Sequence, residues 1–240
     1  MRKRGVPMDQ VATLRQARGT VYPDPLDAAI VCGRAGAHSI TAHLREDRRH
    51  IQDDDIFRLK ELQPRPLHMD MANVESIIEI ALNVKPAEVC LVPEKRQELT
   101  TEGGLDVIGH LDSLKSTVDS LTDAGIVVSL FVDAHELTLD ACKEIGAPVV
   151  ELHTGAYCDA EVNDRPILLE QLIRGADHAH ELGLKVNAGH GINLENLGGI
   201  LCIPHLDTLN IGHSIVCRSV FHGMEKAVME MLEAMRDYTG

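Results

Sequence analysis

The sequence predicts an α/β protein of a single domain, residues 1–240, folded as a closed (β/α)₈ TIM barrel. Short apolar, β-branched runs alternate with longer segments in which apolar residues return every three or four positions, and there are eight of the short runs. No G-x-G-x-x-G follows the first run, which argues against an open dinucleotide-binding sheet. The first strand is expected in "RGVPMDQ" (4–10). "DPLDAAIVCGRAG" (24–36) then reads as a helix, with apolar residues at three- and four-residue steps and glycine at its close. Strands two to four fall in "SITAHL" (39–44), "PLHMDM" (66–71) and "AEVCLVP" (87–93). "SLKSTVDSLTDAG" (113–125) has helical period and ends in glycine, so the next strand begins at "IVVSLFVD" (126–133). "PVVELHTG" (148–155), "LKVNAGHG" (184–191) and "DTLNIGHS" (207–214) complete the set. No linker, low-complexity tract or break in composition divides the chain.

Composition excludes several classes of function. Lys and Arg number 23 against 37 Asp and Glu, a formal charge of -14 that repels nucleic acid and anionic lipid. Tryptophan is absent, so a base-stacking platform is not expected. No apolar run reaches the length of a membrane span, and the basic opening "MRKRGVPMDQ" has no apolar segment behind it. A cytosolic protein that binds neither nucleic acid nor membrane is expected. The six cysteines form no C-x-x-C pair, which points to buried free thiols rather than disulfides or a zinc knuckle.

In a barrel of this kind chemistry gathers at the C-terminal ends of the strands, and those ends are rich in titratable groups here. They include Asp9 and Gln10 on strand one, His43 with Arg45 and His50 beyond it on strand two, and Asp70 on strand three. Strand four runs into "PEKRQELTTEGG"; strand five ends at Asp133, strand six at Glu151 and His153, strand seven at His190. Any one of these is compatible with a satisfied interior polar group. Their convergence on one rim is not, because burying them together is costly without a polar ligand or water.

Two nearly identical turns, Asn-Ala-Gly-His ending at His190 and Asn-Ile-Gly-His ending at His213, close the last two strands. Gly191, Gly212 and the adjoining helix starts suit the approach of a phosphate oxygen, so the repeat is read as geometric. The alternative is two ordinary tight turns with solvent-facing histidines. Histidines and carboxylates beside a phosphate site suit proton transfer on a phosphorylated carbonyl compound. No H-x-H on strand one, H-E-x-x-H helix or G-x-S-x-G elbow is present, so neither a metal site nor a serine nucleophile is expected.

"AHLREDRRHI" (42–51), "CLVPEKRQELTTEGGLDV" (90–107), "VSLFVD" (128–133), "ELHTGAY" (151–157), "KVNAGHG" (185–191) and "LNIGHSI" (209–215) together resemble the pyridoxine 5'-phosphate synthase family of the deoxyxylulose-dependent vitamin B6 pathway. The resemblance runs from about Gly5 to the final helix. It implies a TIM barrel that assembles as a homo-oligomer, from dimer to octamer. It also implies a ring-closing condensation of 3-amino-2-oxopropyl phosphate with 1-deoxy-D-xylulose 5-phosphate, without cofactor or metal. Carried over by motif, His43 and His190 are proton-transfer residues and Asp70 stands at the acid–base carboxylate. Arg45, His50 and Thr100 correspond to ligands of the deoxyxylulose phosphate. Arg18, Gly191, Gly212 and His213 correspond to the aminoketone phosphate site, with Asp9 and Gln10 also facing substrate. An oligomer is further suggested by the apolar stripe of "VFHGMEKAVMEMLEAM" (220–235), although that stripe suits the barrel wall equally.

The chain departs from the family pattern near the reacting atoms. Gly-Val-Asn-x-Asp-His becomes Gly5-Val6-Pro7-Met8-Asp9-Gln10, the usual glutamate becomes Asp70, and Ala-Asp-Gly-Ile-Thr becomes Ala37-His38-Ser39-Ile40-Thr41. A working synthase with compensating changes, a relative that condenses another amino compound with a sugar phosphate, and a silent binding protein all fit this pattern.

Overall fold

Eight parallel strands pair in chain order, and the last pairs with the first, so the sheet closes on itself. The computed structural model describes residues 3–62, 65–94 and 101–236. Its strands are β1 (Lys3–Pro7), β2 (Ser39–His43), β3 (Leu67–Met71), β4 (Glu88–Leu91), β5 (Val127–Val132), β6 (Val149–His153), β7 (Lys185–Gly189) and β8 (Leu206–Asn210). The helices between and beyond them are α1 (Asp9–Gln16), α2 (Pro25–Ala35), α3 (Asp53–Leu62), α4 (Glu75–Val84), α5 (Leu111–Asp123), α6 (Glu136–Ile145), α7 (Gly155–Asp159), α8 (Arg165–Glu181), α9 (Leu197–Ile200), α10 (His213–His222) and α11 (Met224–Ala234). The expected barrel is therefore the observed one.

Period-two alternation divides each strand between two environments. Ile40, Ala42, Met69, Met71, Val89, Leu91, Val128, Leu130, Val150 and Leu152 face outward and join the helices in one continuous apolar core. The inward faces are polar, whereas barrels of this class usually fill them with branched aliphatic layers. Asn187 Nδ2 of β7 donates to Glu88 Oε1 of β4 at 3.2 Å, and Asn210 Nδ2 of β8 donates to Glu151 Oε2 of β6 at 2.5 Å. Such bonds join strands that are not neighbours, so they cross the interior. A small apolar cluster of Cys90, Val92 and Phe131 stands apart from the main core.

Three expectations are corrected. Asp9 and Gln10 do not end β1; they open α1. Pro7 has no N–H to continue the ladder, Met8 makes the last bond to Thr41 O at 2.9 Å, and the Met8 carbonyl already accepts from Val11 and Ala12. The C-terminal apolar stripe is two helices rather than one, because the chain turns at Gly223 between α10 and α11. Cys32, Cys90, Cys142 and Cys158 are buried free thiols as expected, but Cys202 and Cys217 are exposed.

Candidate active site

The C-terminal mouth of the barrel brings together most of the residues singled out above. Asp9 Oδ1 accepts from the backbone N–H of His43 at 2.8 Å, so the start of α1 is tied to the end of β2. His43 Nε2 lies 2.8 Å from Glu94 Oε1, and Glu94 Oε2 accepts from the Glu46 N–H at 3.1 Å. Burial pushes the Glu94 carboxyl up, but the His43 hydrogen bond and charge more than offset this and hold it below its ordinary value. Arg45 is buried and pairs with Asp47. The His50 ring stands 5.9 Å from that of His43, and burial favours its neutral form.

The loop that carries Arg45 and His50 is anchored from outside. Arg15 of α1 grips Asp55 of α3 through two 2.7 Å bonds, and its Nη2 also donates to His50 O at 3.2 Å. Gln52 closes the ring, its N–H on Asp55 Oδ2 and its Nε2 on His50 O. Arg18 is not part of this arrangement. It lies exposed on the turn after α1, and no side-chain partner for it is seen among the described residues. Thr100 lies outside the described residues.

Deeper in the mouth sit two carboxylates, Asp70 of β3 and Glu151 of β6. Burial and then the charge of Glu151 push the Asp70 carboxyl well above its ordinary value, with Asp9 and Glu88 adding to the effect. Burial also raises Glu151, against the opposing hydrogen bond from Asn210. Carboxylic acids held neutral this way can donate a proton near neutral pH. Gln10 Oε1, Thr41 Oγ1 and Asn210 Oδ1 are buried polar atoms with no hydrogen-bond partner among the described residues.

His190 occupies the far side of the mouth in a left-handed backbone conformation, φ 85°. Thr154 Oγ1 lies 2.6 Å from the His190 carbonyl and 2.8 Å from that of Gly189. Burial lowers the His190 pKa, and the His153 charge adds to that. His153 meets His190 at 5.2 Å between ring centroids, with Phe131 beside both.

The two Asn-x-Gly-His turns are not geometric copies, which corrects the reading of the repeat. Gly189 pairs with Asn210, so the first motif is displaced by two residues along the barrel. Asn187 lies inside the barrel on Glu88, whereas Asn210 lies at the end of β8 on Glu151. Only the second motif leads directly into a helix, with Gly212 as the N-cap of α10 and His213 its first residue. The two turns are laced together by Ser214 Oγ, which donates to Ile192 O at 2.7 Å. Among the described residues no acceptor engages the N–H groups of Gly191, Gly212, His213 or Ser214. A Cβ on Gly212 would stand 2.7 Å from Pro7 Cβ, so the proline ring is packed directly against this turn.

Glu94, Glu151, Asn210 and the Asp133–His153 pair were read at most as strand-end or loop residues. Their partners lie on other strands, and only closure of the barrel reveals them.

A closed barrel with carboxyls and imidazoles gathered at its mouth places the chain in the (β/α)₈ class and gives that mouth groups able to exchange protons. Solved structures similar in fold include 3-keto-L-gulonate-6-phosphate decarboxylase from Vibrio cholerae, with a TM-score of 0.65, 12% identity and coverage of 100% of this chain and 99% of that one. Phosphoribosylanthranilate isomerase from Thermotoga maritima is similar at a TM-score of 0.63 and 12% identity, covering 98% and 99%. At these identities the likeness concerns the fold alone. The model of the family described as pyridoxal phosphate biosynthesis protein PdxJ matches residues 4–237, and the chain belongs to that family. Relatives named pyridoxine 5'-phosphate synthase include one from Photobacterium profundum, 54% identical over 97% of this chain and 96% of the relative. Another, from Coxiella burnetii, is 52% identical over 95% of each. One from Crocosphaera subtropica is 53% identical over 97% of each. Among the described residues no helix is long and apolar enough to cross a membrane.

Proposed function

We propose that the chain is a pyridoxine 5'-phosphate synthase. It condenses 3-amino-2-oxopropyl phosphate with 1-deoxy-D-xylulose 5-phosphate, closes the pyridine ring and releases inorganic phosphate and water. The observation that carries this reading is the pair of carboxyls, half-buried Asp70 and buried Glu151, whose environment favours their protonated forms, in a mouth flanked by His43 and His190. Joining an amine to a ketone and expelling water requires an acid to protonate the departing hydroxyl and a base to take protons from carbon. Asp70 supplies the acid at the ring carbons. His43, held by Glu94, and His190, held on the opposite wall, remove and return protons on the two sides of the closing ring.

The phosphate of the aminoketone sits on the N–H groups of Gly191, Gly212 and His213, where the start of α10 adds favourable partial charge, and Arg18 closes over it. Arg45, His50 and Thr100 take the deoxyxylulose phosphate, while Asp9 and Gln10 line the floor between the substrates. The enzyme works in the cytoplasm as a homo-oligomer on phosphorylated small molecules.

A second reading has its own support. Pro7 fills the space beside Gly212, and Gln10 offers an unpartnered acceptor, so the pocket for the amino substrate differs in shape from the family pattern. In that reading a different amino compound is condensed with the sugar phosphate. Incubating the protein with both family substrates and following pyridoxine 5'-phosphate and released phosphate decides between them. Formation of both products supports the synthase; binding of the sugar phosphate with no product supports the altered amino partner.

A further inference from the structure

We propose that Asp133 and His153 are positioning residues for His190, fixing its imidazole and coupling it to the segment that follows β4. The inference rests on the reading of His190 as a proton-transfer residue. A continuous series of contacts supports it. The Gly104 N–H donates to Asp133 Oδ2 at 3.0 Å. Asp133 Oδ1 lies 3.0 Å from His153 Nδ1. The His153 hydrogen bond is the main cause that holds Asp133 below the usual carboxylate range, so Asp133 is an acceptor and Nδ1 carries the proton. The bond orients the His153 ring and leaves Nε2 on the side facing Gly155.

Gly155 makes the contact between the rings possible. A Cβ there would strike His153 Nε2, and it would stand 3.1 Å from His190 Cδ2. With no side chain in the way, the two rings meet edge to face at 5.2 Å and 67°. The neighbouring Thr154 hydroxyl lies within bonding distance of the His190 carbonyl, whose residue holds a backbone conformation rare outside glycine. Residues 153 to 155 thus supply a ring, a hydroxyl and a clearance, all directed at one histidine.

The charged groups around His190 are His153 from the end of β6, Asp159 from α7 and His213 from α10, and Phe131 of β5 packs beside it. His153 and His213 oppose its protonation and Asp159 favours it, with burial the largest influence. Removing the His153 imidazole therefore takes away one of the influences that oppose protonation of His190.

The experiment compares His153→Phe, which keeps an aromatic ring against His190 but no nitrogen for Asp133, with Asp133→Asn. Histidine NMR titration of the unliganded protein reads His190 directly, and kcat and KM are measured across pH. His153→Phe is expected to move the His190 titration, and the acidic limb of kcat with it, to higher pH. Both variants should lower kcat about tenfold or more through misplacement of the ring, with KM for either phosphorylated substrate nearly unchanged. Asp133→Glu should restore part of the Asp133→Asn loss. An unmoved His190 titration, kcat within about twofold of wild type, or a rise in KM larger than the fall in kcat overturns the proposal; the last result makes His153 a substrate contact. His190→Asn is the separate control: full activity in that variant removes the proton-transfer reading, whatever the titration of the other variants shows.

Discussion

The grip of Arg15 on Asp55 makes a quantitative prediction about what holds the loop of Arg45 and His50 in place. Both side chains are nearly out of solvent, 10% and 4% exposed, and their two 2.7 Å bonds are supplemented by His50 O and the Gln52 N–H. Arg15→Met keeps much of the aliphatic volume but leaves a buried carboxylate without its cation, a change that costs about 3–5 kcal/mol. For a chain of this size about 1 kcal/mol corresponds to roughly 2–4 °C, so the melting temperature should fall by about 6–20 °C. Replacing both partners, Arg15→Met with Asp55→Leu, removes the orphaned charge and should be closer to wild type than Arg15→Met alone. Urea unfolding and thermal melting at one fixed protein concentration measure these changes, and steady-state kinetics should show a raised KM for the deoxyxylulose phosphate because His50 has lost its anchor. A loss below about 1 kcal/mol, the range of an exposed ion pair, would refute the reasoning. So would a double variant as damaged as the single one.

Three further outcomes are expected. Asp70→Asn should lower turnover by about 10²–10⁴. Because the folded pKa of Asp70 is raised, the native state keeps a proton that the unfolded chain releases at lower pH, so this group's contribution to stability falls as pH rises from the unfolded value through the folded one. The asparagine variant should therefore gain stability over wild type progressively toward alkaline pH in urea titrations; a constant difference across pH would contradict the buried-acid assignment. In kinetics with the two family substrates, Pro7→Asn combined with Gln10→His should leave an efficient wild type unimproved, whereas rescue of a poor wild type would assign the native enzyme to another amino substrate. A thiol reagent applied to the native protein should label Cys202 and Cys217 and spare the four buried thiols until unfolding, which mass mapping of the labelled peptides checks.

The barrel was legible because its signal is local: a run such as "IVVSLFVD" has the length and composition of a buried strand wherever its partners lie. His43, Asp70 and His190 were legible for the same reason, each standing at the end of such a run. Relations between strands were not. Asp70 and Glu151 are 81 positions apart in the numbering, and nothing on either strand announces that they share one buried volume. The repeated Asn-x-Gly-His motif shows the limit most clearly. Identical letters predicted identical places, but a parallel ladder is set by backbone register, and the Gly189–Asn210 pairing shifts one copy two residues against the other. The start of α1 was missed because Asp9 and Gln10 read as the end of the strand, whereas β1 ends at Pro7, Met8 makes its last ladder bond, and α1 opens at Asp9.

The polar lining of the barrel has a consequence for how this scaffold can change over time. The apolar mass that holds it folded lies on the outward faces of the strands, at positions such as Met69, Met71, Leu91 and Leu152, where the helices cover it. The inward faces carry Thr41, Asp70, Ser129, Glu151 and Asn187, which are polar and add little apolar packing. A substitution on one face of a strand is therefore tested by folding, and a substitution one position along is tested by reactivity. Changes such as Asp70 or Pro7 can accumulate inside such a shell without passing through an unfolded ancestor, so the reaction can drift while the barrel stays closed.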